Sequence, residues 1–312
     1  MLKSDHQIFA ILMIFVSSFS MAQQPDIEKD LLSEKDLLSA GAEIEVFKTT
    51  SNSSGEEAKL NIYIFKPENH KPTDKRSAIV FFFGGGWNTG KPTQFTEHCK
   101  HLAKKGMVSM TADYRVKSRH GTKAISCVED GKSAIRWVRQ NASKLGIDST
   151  KVVAAGGSAG GHVAACTGVI KTLDHEKENL KISSVPNARV LFNPVLATAK
   201  VEGSDQKMNA KKIAASTKRI GASPVTVSPV HHVVSGIPPT LILHGNADKV
   251  VPFWIAEVFQ SAMDKAGNRC ELVEYKKQGH GFFNHGRKGG KYEETVEQMD
   301  KFLMSLGFLQ TD

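Results

Sequence analysis

Residues 152–161 read VVAAGGSAGG, and this stretch decides the fold. Val152 to Ala155 is a short apolar run suited to a strand buried on both faces. Ala159 to Val169 is a run of small residues suited to a helix packed closely on that strand. Ser158 therefore falls on a sharp strand-to-helix turn, with Gly156 two residues before it and Gly160 two after. A serine pushed into an unfavourable backbone conformation there projects its hydroxyl above the sheet. The helix N-terminus behind it favours developing negative charge. No Gly-Lys-Ser/Thr follows, which disfavours a phosphate-binding loop.

Strands and helices alternate on both sides of this turn. Leu60, Ile62 and Ile64 alternate with Asn61 and Tyr63, the pattern of a half-buried strand. Ala78 to Phe83 (AIVFFF) reads as a fully buried one. A helix over Phe95 to Lys105 and a strand over Met107 to Ala112 follow, then an amphipathic helix over Asp130 to Leu145 that Gly146 stops. Beyond the central turn come strands at Val190 to Phe192, Thr240 to Leu243 and Leu272 to Tyr275. Helices are expected at Trp254 to Lys265 and Tyr292 to Leu306. Such alternation predicts an α/β domain over residues 59–312, with a mostly parallel central sheet and helices on both faces. The basic, proline-broken stretch 196–238 interrupts the rhythm and reads as a small lid insertion. Residues 23–58 read as a polar N-terminal extension.

Sites in such sheets lie at the carboxyl ends of the strands. Asp248 follows the strand ending at Leu243, and His280 follows the one ending at Tyr275, between Gly279 and Gly281. The chain order is Ser158, Asp248, His280, each after a separate strand. In that arrangement Ser158 attacks an acyl carbonyl, His280 carries its proton, and Asp248 orients the imidazole. After the Phe-rich strand stands Gly84-Gly85-Gly86-Trp87, whose backbone N–H groups, with that of Ala159, suit an oxyanion. His162 and His244 lie beside these turns without a metal-ligand spacing, so no metal is assigned, and the chemistry calls for no cofactor.

The chain has 312 residues, 40% hydrophobic and 23% charged, with a net charge of +9 from 41 Lys plus Arg against 32 Asp plus Glu. These fractions exclude global disorder and fibrous repeats. The basic residues are spread along the chain rather than gathered in a stripe with stacking aromatics, so no nucleic-acid partner is expected. A basic surface does suit approach to anionic material such as an acidic polysaccharide. Residues 1–22 resemble a secretory signal: Lys3, an apolar run from Ile8 to Val16, then Ser20-Met21-Ala22 before Gln23. That run is shorter than the roughly 20 residues of a membrane span, so no stable membrane anchor is expected. A secreted or periplasmic location follows. Cys99, Cys127, Cys166 and Cys270 either pair in an exported chain or stay as buried thiols.

The set FFFGGGW, ADYR (Ala112 to Arg115), GGSAGG, HGNAD and GHGFF resembles the α/β-hydrolase superfamily. Within it, the set is similar to the esterases related to hormone-sensitive lipase and to the feruloyl and acetyl-xylan carbohydrate esterases. The resemblance covers about residues 60–306. It implies an α/β-hydrolase fold and a serine esterase acting on short acyl esters, including acetyl or feruloyl esters of polysaccharide. It also implies oxyanion N–H groups at Gly85 and Gly86. The family commonly has His before the three glycines, where this chain has Phe83. The short stretch before residue 60 favours the more open, carbohydrate-esterase-like branch. A prolyl-oligopeptidase-like serine peptidase shares the Gly-Gly-Ser-x-Gly-Gly turn and is the nearest alternative. A non-catalytic hydrolase-fold binding protein is a third reading. Trp87 and Phe282 are candidates for lining a substrate pocket, whereas Trp254 is assigned to the core. Arg115 is expected to form a structural ion pair with Glu129 or Asp130.

Overall fold

The computed structural model describes residues 34–202 and 217–310. The signal-like segment 1–22 and the middle of the 196–238 insertion lie outside the described residues. Eight strands form one sheet: β1 (Glu43–Ser51), β2 (Glu57–Phe65), β3 (Arg76–Phe82), β4 (Val108–Ala112), β5 (Ile147–Gly157), β6 (Ala188–Phe192), β7 (Thr240–Gly245) and β8 (Cys270–Tyr275). Their order is β1-β2-β4-β3-β5-β6-β7-β8. The β1–β2 and β2–β4 pairs are antiparallel, and the remaining pairs are parallel.

The longer helices are α1 (Thr96–Lys104), α2 (Ala124–Gln140), α3 (Ala159–Val169), α4 (Trp254–Lys265) and α5 (Tyr292–Ser305). The central strands β3, β4, β6 and β7 and the end of β5 are buried on both faces, and successive residues sort to opposite sides. Ala78, Val80 and Phe82 of β3 join one core with α2, α3 and α4. Ile79 and Phe81 join the other with α1 and α5. This is the doubly covered parallel sheet that the alternation predicts.

β5 starts at Ile147, five residues before the expected Val152, and two further elements differ more from the sequence reading. β1 lies inside the stretch read as a polar extension, and it pairs with β2 along its length with a register shift between Val46 and Lys48. The irregularity breaks the two-residue period that marks a strand, leaving Val46 exposed and Lys48 buried. Helix α2 starts at Ala124 rather than Asp130, and no side-chain cap marks its start. The described flanks of the 196–238 insertion belong to the main core, where Leu196, Ile220, Val227 and Ile237 are buried.

The four cysteines are free and buried, so the two options for them resolve to unpaired thiols. Burial pushes each thiol upward from its ordinary pKa. Arg115 meets Asp130 through Nε to Oδ2 at 2.9 Å and Nη2 to Oδ1 at 2.8 Å, and Lys48 Nζ reaches the same Oδ1 at 2.8 Å. The expected ion pair is thus a buried cluster that fastens β1 and the segment after β4 to α2. Among the described residues no helix is long and apolar enough to cross a membrane.

Candidate active site

Register brings the chemistry together. Phe82 at the end of β3 lies opposite Gly156 of β5, and Gly156 and Gly157 lie opposite Leu191 and Phe192 of β6. The turns after β3, β5 and β6 therefore open at one level of the sheet. Ser158 sits between β5 and α3 with φ 54° and ψ −117°, a conformation that L-residues rarely adopt. Its N–H donates to Phe192 O at 2.9 Å, which locks the turn to β6. A Cβ at Gly156 would run into the backbone of Gly160 and Phe82, and one at Gly160 into the carbonyls of Phe82 and Phe83. Both glycines are needed for β3, β5 and α3 to close on one another.

His280 Nε2 lies 2.9 Å from Ser158 Oγ, and His280 Nδ1 lies 2.7 Å from Asp248 Oδ2. The three residues are thus hydrogen-bonded in series. Asp248 has a fully buried side chain. Burial works against its charge, but hydrogen bonds from His244, His280 and the N–H groups of Val251 and Val250 outweigh it. They hold the carboxyl well below the usual carboxylate range. The Val250 and Val251 N–H groups donate to Asp248 Oδ1 at 2.8 and 2.9 Å. His244 Nε2 bonds Val251 O at 2.9 Å and stands 3.5 Å from Asp248 Oδ2.

The glycine turn after β3 packs against the elbow: a Cβ on Gly84 would lie 3.3 Å from Ser158 Cβ. Gly85 and Gly86 have φ of 127° and 62°. Among the described residues their N–H groups have no hydrogen-bond acceptor. The Ala159 N–H is the first of α3 and has no partner within its helix. Where the family commonly has His, Phe83 stacks on Tyr114 with centroids 4.1 Å apart, and the Tyr114 hydroxyl donates to Phe83 O at 2.6 Å.

Sequence reasoning missed three polar residues here. Gln94 Oε1 accepts from Gly84 N at 2.6 Å, and Gln94 Nε2 donates to Asn284 Oδ1 at 2.8 Å. Asn284 Nδ2 donates to Gly281 O at 3.0 Å. Asn193, at the end of β6, accepts from Gly281 N at 3.0 Å. Its position just after a strand, beside Pro194, was the available signal. A cavity of about 560 Å³ is lined by Ser158, His280, Gly84 to Gly86, Gln94, Asn193 and Asn284.

Neither pocket candidate lines the cavity that holds Ser158. Phe282 is completely buried and packs on Tyr275 with centroids 4.7 Å apart, so it is core. Its neighbour Phe283 lines the cavity instead. The backbone turn through Gly281 (φ 75°) aims the second phenylalanine, not the first, at the site. Trp87 donates its indole N–H to His162 Nδ1 at 3.2 Å and borders a neighbouring cavity rather than the one holding Ser158. Indole N–H on Nδ1 and Val227 O at 2.6 Å from Nε2 together require neutral His162 with its proton on Nε2. Burial lowers its pKa to about 4, which keeps that form. Trp254 is partly buried against the core, as its helical position suggests. No group of His, Cys, Asp or Glu among the described residues is arranged to hold a metal ion.

A doubly covered parallel sheet with a strained serine above β5, bonded to a histidine after β8 and through it to an aspartate after β7, defines an α/β-hydrolase. The chain belongs to the BD-FAE family, whose model matches residues 60–263. It is 28% identical over 222 residues to "Esterase LipC" of Mycobacterium tuberculosis, covering 68% of this chain and 54% of that protein. It is 30% identical over 267 residues to "Acetylxylan esterase" of Xylanibacter ruminicola, covering 83% of this chain and 51% of that protein. The chain thus spans about half the length of these curated relatives. Among solved structures it resembles Thermogutta terrifontis esterase 2 phosphonylated by sarin. That match has 49% identity and a TM-score of 0.83, over 87% of this chain and 97% of the other. The butyrate-bound form of the same thermophilic esterase matches at 50% identity and a TM-score of 0.81, over 87% and 96%.

Proposed function

We propose that the chain is a secreted or periplasmic serine carboxylic-ester hydrolase that cleaves short acyl esters, with acetyl or feruloyl esters of polysaccharide as its substrates. The hydrogen-bonded series Ser158–His280–Asp248 carries this reading. As Ser158 Oγ bonds to the acyl carbon, its proton passes to His280 Nε2, and Asp248 stabilises the imidazolium through Nδ1–H. The carbonyl oxygen gains charge facing the N–H groups of Gly85, Gly86 and Ala159. The C–O bond to the alcohol then breaks, and His280 returns the proton to the departing oxygen. Water attacks the acyl carbon and gives up a proton to His280; the bond to Ser158 Oγ breaks, His280 passes its proton to that oxygen, and the acid leaves.

The butyrate-bound and phosphonylated forms of the Thermogutta esterase support a short acyl group and a nucleophile open to phosphonylation. The name of the Xylanibacter relative supports acetyl groups on polysaccharide. Export rests on residues 1–22 alone. The experiment is turnover of p-nitrophenyl acetate and of acetylated and feruloylated xylan by residues 23–312 and by Ser158→Ala. Loss of at least about 10³-fold in kcat is expected in the variant. Full turnover by Ser158→Ala would overturn the mechanism.

A further inference from the structure

A second cavity of about 460 Å³ adjoins the site and shares Gly86 and Arg219 with the cavity that holds Ser158. Its other lining residues include Trp87, Lys117, Thr122, Lys123 and Lys218. Four cations thus border one small space, and no carboxylate lines either cavity among the described residues. Lys117, Lys123 and Lys218 are exposed and make no ion pair among the described residues.

This wall is fastened to the glycine turn. Lys117 N–H donates to Trp87 O at 3.1 Å, and Ser118 N–H donates to Asn88 O at 2.9 Å. Arg219 donates through Nε to Gly86 O at 3.0 Å, and its guanidinium carbon lies 5.0 Å from the centre of the Trp87 ring. Thr122, in the same wall, is 9% exposed, and its hydroxyl has no partner among the described residues. Like charges gathered around one cavity repel one another, and an anion bound among them relieves that repulsion.

We propose that this cavity is a subsite for a carboxylate carried by the ester substrate, so that the enzyme prefers anionic esters over neutral ones of the same size. The inference rests on the esterase reading of Ser158. A carboxylate on the acyl group and one on the alcohol present the same chemistry, and substrates of both kinds separate them. The acyl pair is p-nitrophenyl hydrogen succinate against p-nitrophenyl butyrate. The alcohol pair is 4-acetoxybenzoate against phenyl acetate.

In wild type, kcat/KM for the charged member of one pair should exceed that for its neutral partner. The advantage should shrink as NaCl rises from 10 mM to 500 mM. In Lys117→Gln/Lys123→Gln/Lys218→Gln the charged-to-neutral ratio should fall by about tenfold while neutral turnover is kept. Titration calorimetry with 4-acetamidobenzoate against acetanilide reads the same preference without turnover. It therefore stands even if Ser158 proves not to be the nucleophile. Equal effects of the triple substitution on both members of both pairs, with equal binding of the two amides, would overturn the subsite while leaving the esterase reading intact.

Discussion

Gln94 and Asn284 stand 190 positions apart in sequence yet share a 2.8 Å hydrogen bond in the wall of the cavity that holds Ser158. Through them the glycine turn at Gly84 is tied to the backbone of Gly281, beside His280. The two halves of the site, the glycine turn and the His280 loop, are therefore held at a fixed separation. Cutting this tie should let both loops drift, and misplacement on the order of 1 Å costs up to about 10²-fold in rate. Gln94→Ala and Asn284→Ala are each expected to lower kcat on a neutral ester by about tenfold with KM nearly unchanged. A rise in KM at constant kcat would show instead that the two residues bind substrate.

Asp248 receives two backbone N–H bonds, from Val250 and Val251, besides the bond to His280. Substitution by Asn keeps the shape but reverses what one oxygen offers. An amide nitrogen facing His280 Nδ1 would force the imidazole proton onto Nε2, which must accept from Ser158. Asp248→Asn should lower kcat by about 10⁴-fold, the cost of the wrong tautomer. Circular dichroism should match wild type. A drop of less than tenfold would show that Asp248 does not orient His280.

The legible parts of the sequence were those in which a local pattern coincides with a structural role. β3, the end of β5 from Val152 and β7 are short apolar runs because helices cover both their faces, and Ser158, Asp248 and His280 each stand on the turn after a strand. β1 was hidden because its register shift leaves Val46 exposed and turns Lys48 inward to Asp130. Gln94 and Asn284 were hidden for another reason. Neither has a local signature, and each acquires its role only when the β3 and β8 turns meet. Phe282 and Phe283 show the limit at single-residue scale, since which ring faces the cavity depends on the backbone path through Gly281.

Asp130 is fully buried and takes hydrogen bonds from Lys48 and Arg115. Burial opposes its charge, but the Lys48 charge and the Arg115 hydrogen bonds and charge hold its pKa below the ordinary value. Removing the carboxylate leaves two buried cations with only the partly exposed Glu129, 3.2 Å from each, as a carboxylate partner. Asp130→Ala should lose about 3–5 kcal/mol of stability, the usual cost of breaking a buried pair from one side. Guanidinium denaturation measures it, and a loss under about 1 kcal/mol would show that water or Glu129 replaces the missing charge.

His98 is buried among Phe81, Phe95, Phe192, Phe283 and Tyr292, and neither ring nitrogen has a partner among the described residues. Burial, with positive charge on His101 and His285, lowers its pKa from 6.5 to about 3. Between those two values the unfolded chain binds a proton that the folded chain refuses. The stability His98 contributes is therefore whole above pH 6.5 and drains away as pH falls toward 3. The slope is about 1.4 kcal/mol per pH unit, and His162, lowered to about 4 by burial, adds in the same direction. Tm should fall steadily from pH 6.5 to pH 4.5. His98→Leu removes one of the protons taken up on unfolding, alongside those of His162 and His120, so its Tm should fall less steeply across that range. Parallel Tm profiles for wild type and His98→Leu would mean that His98 is protonated inside the fold.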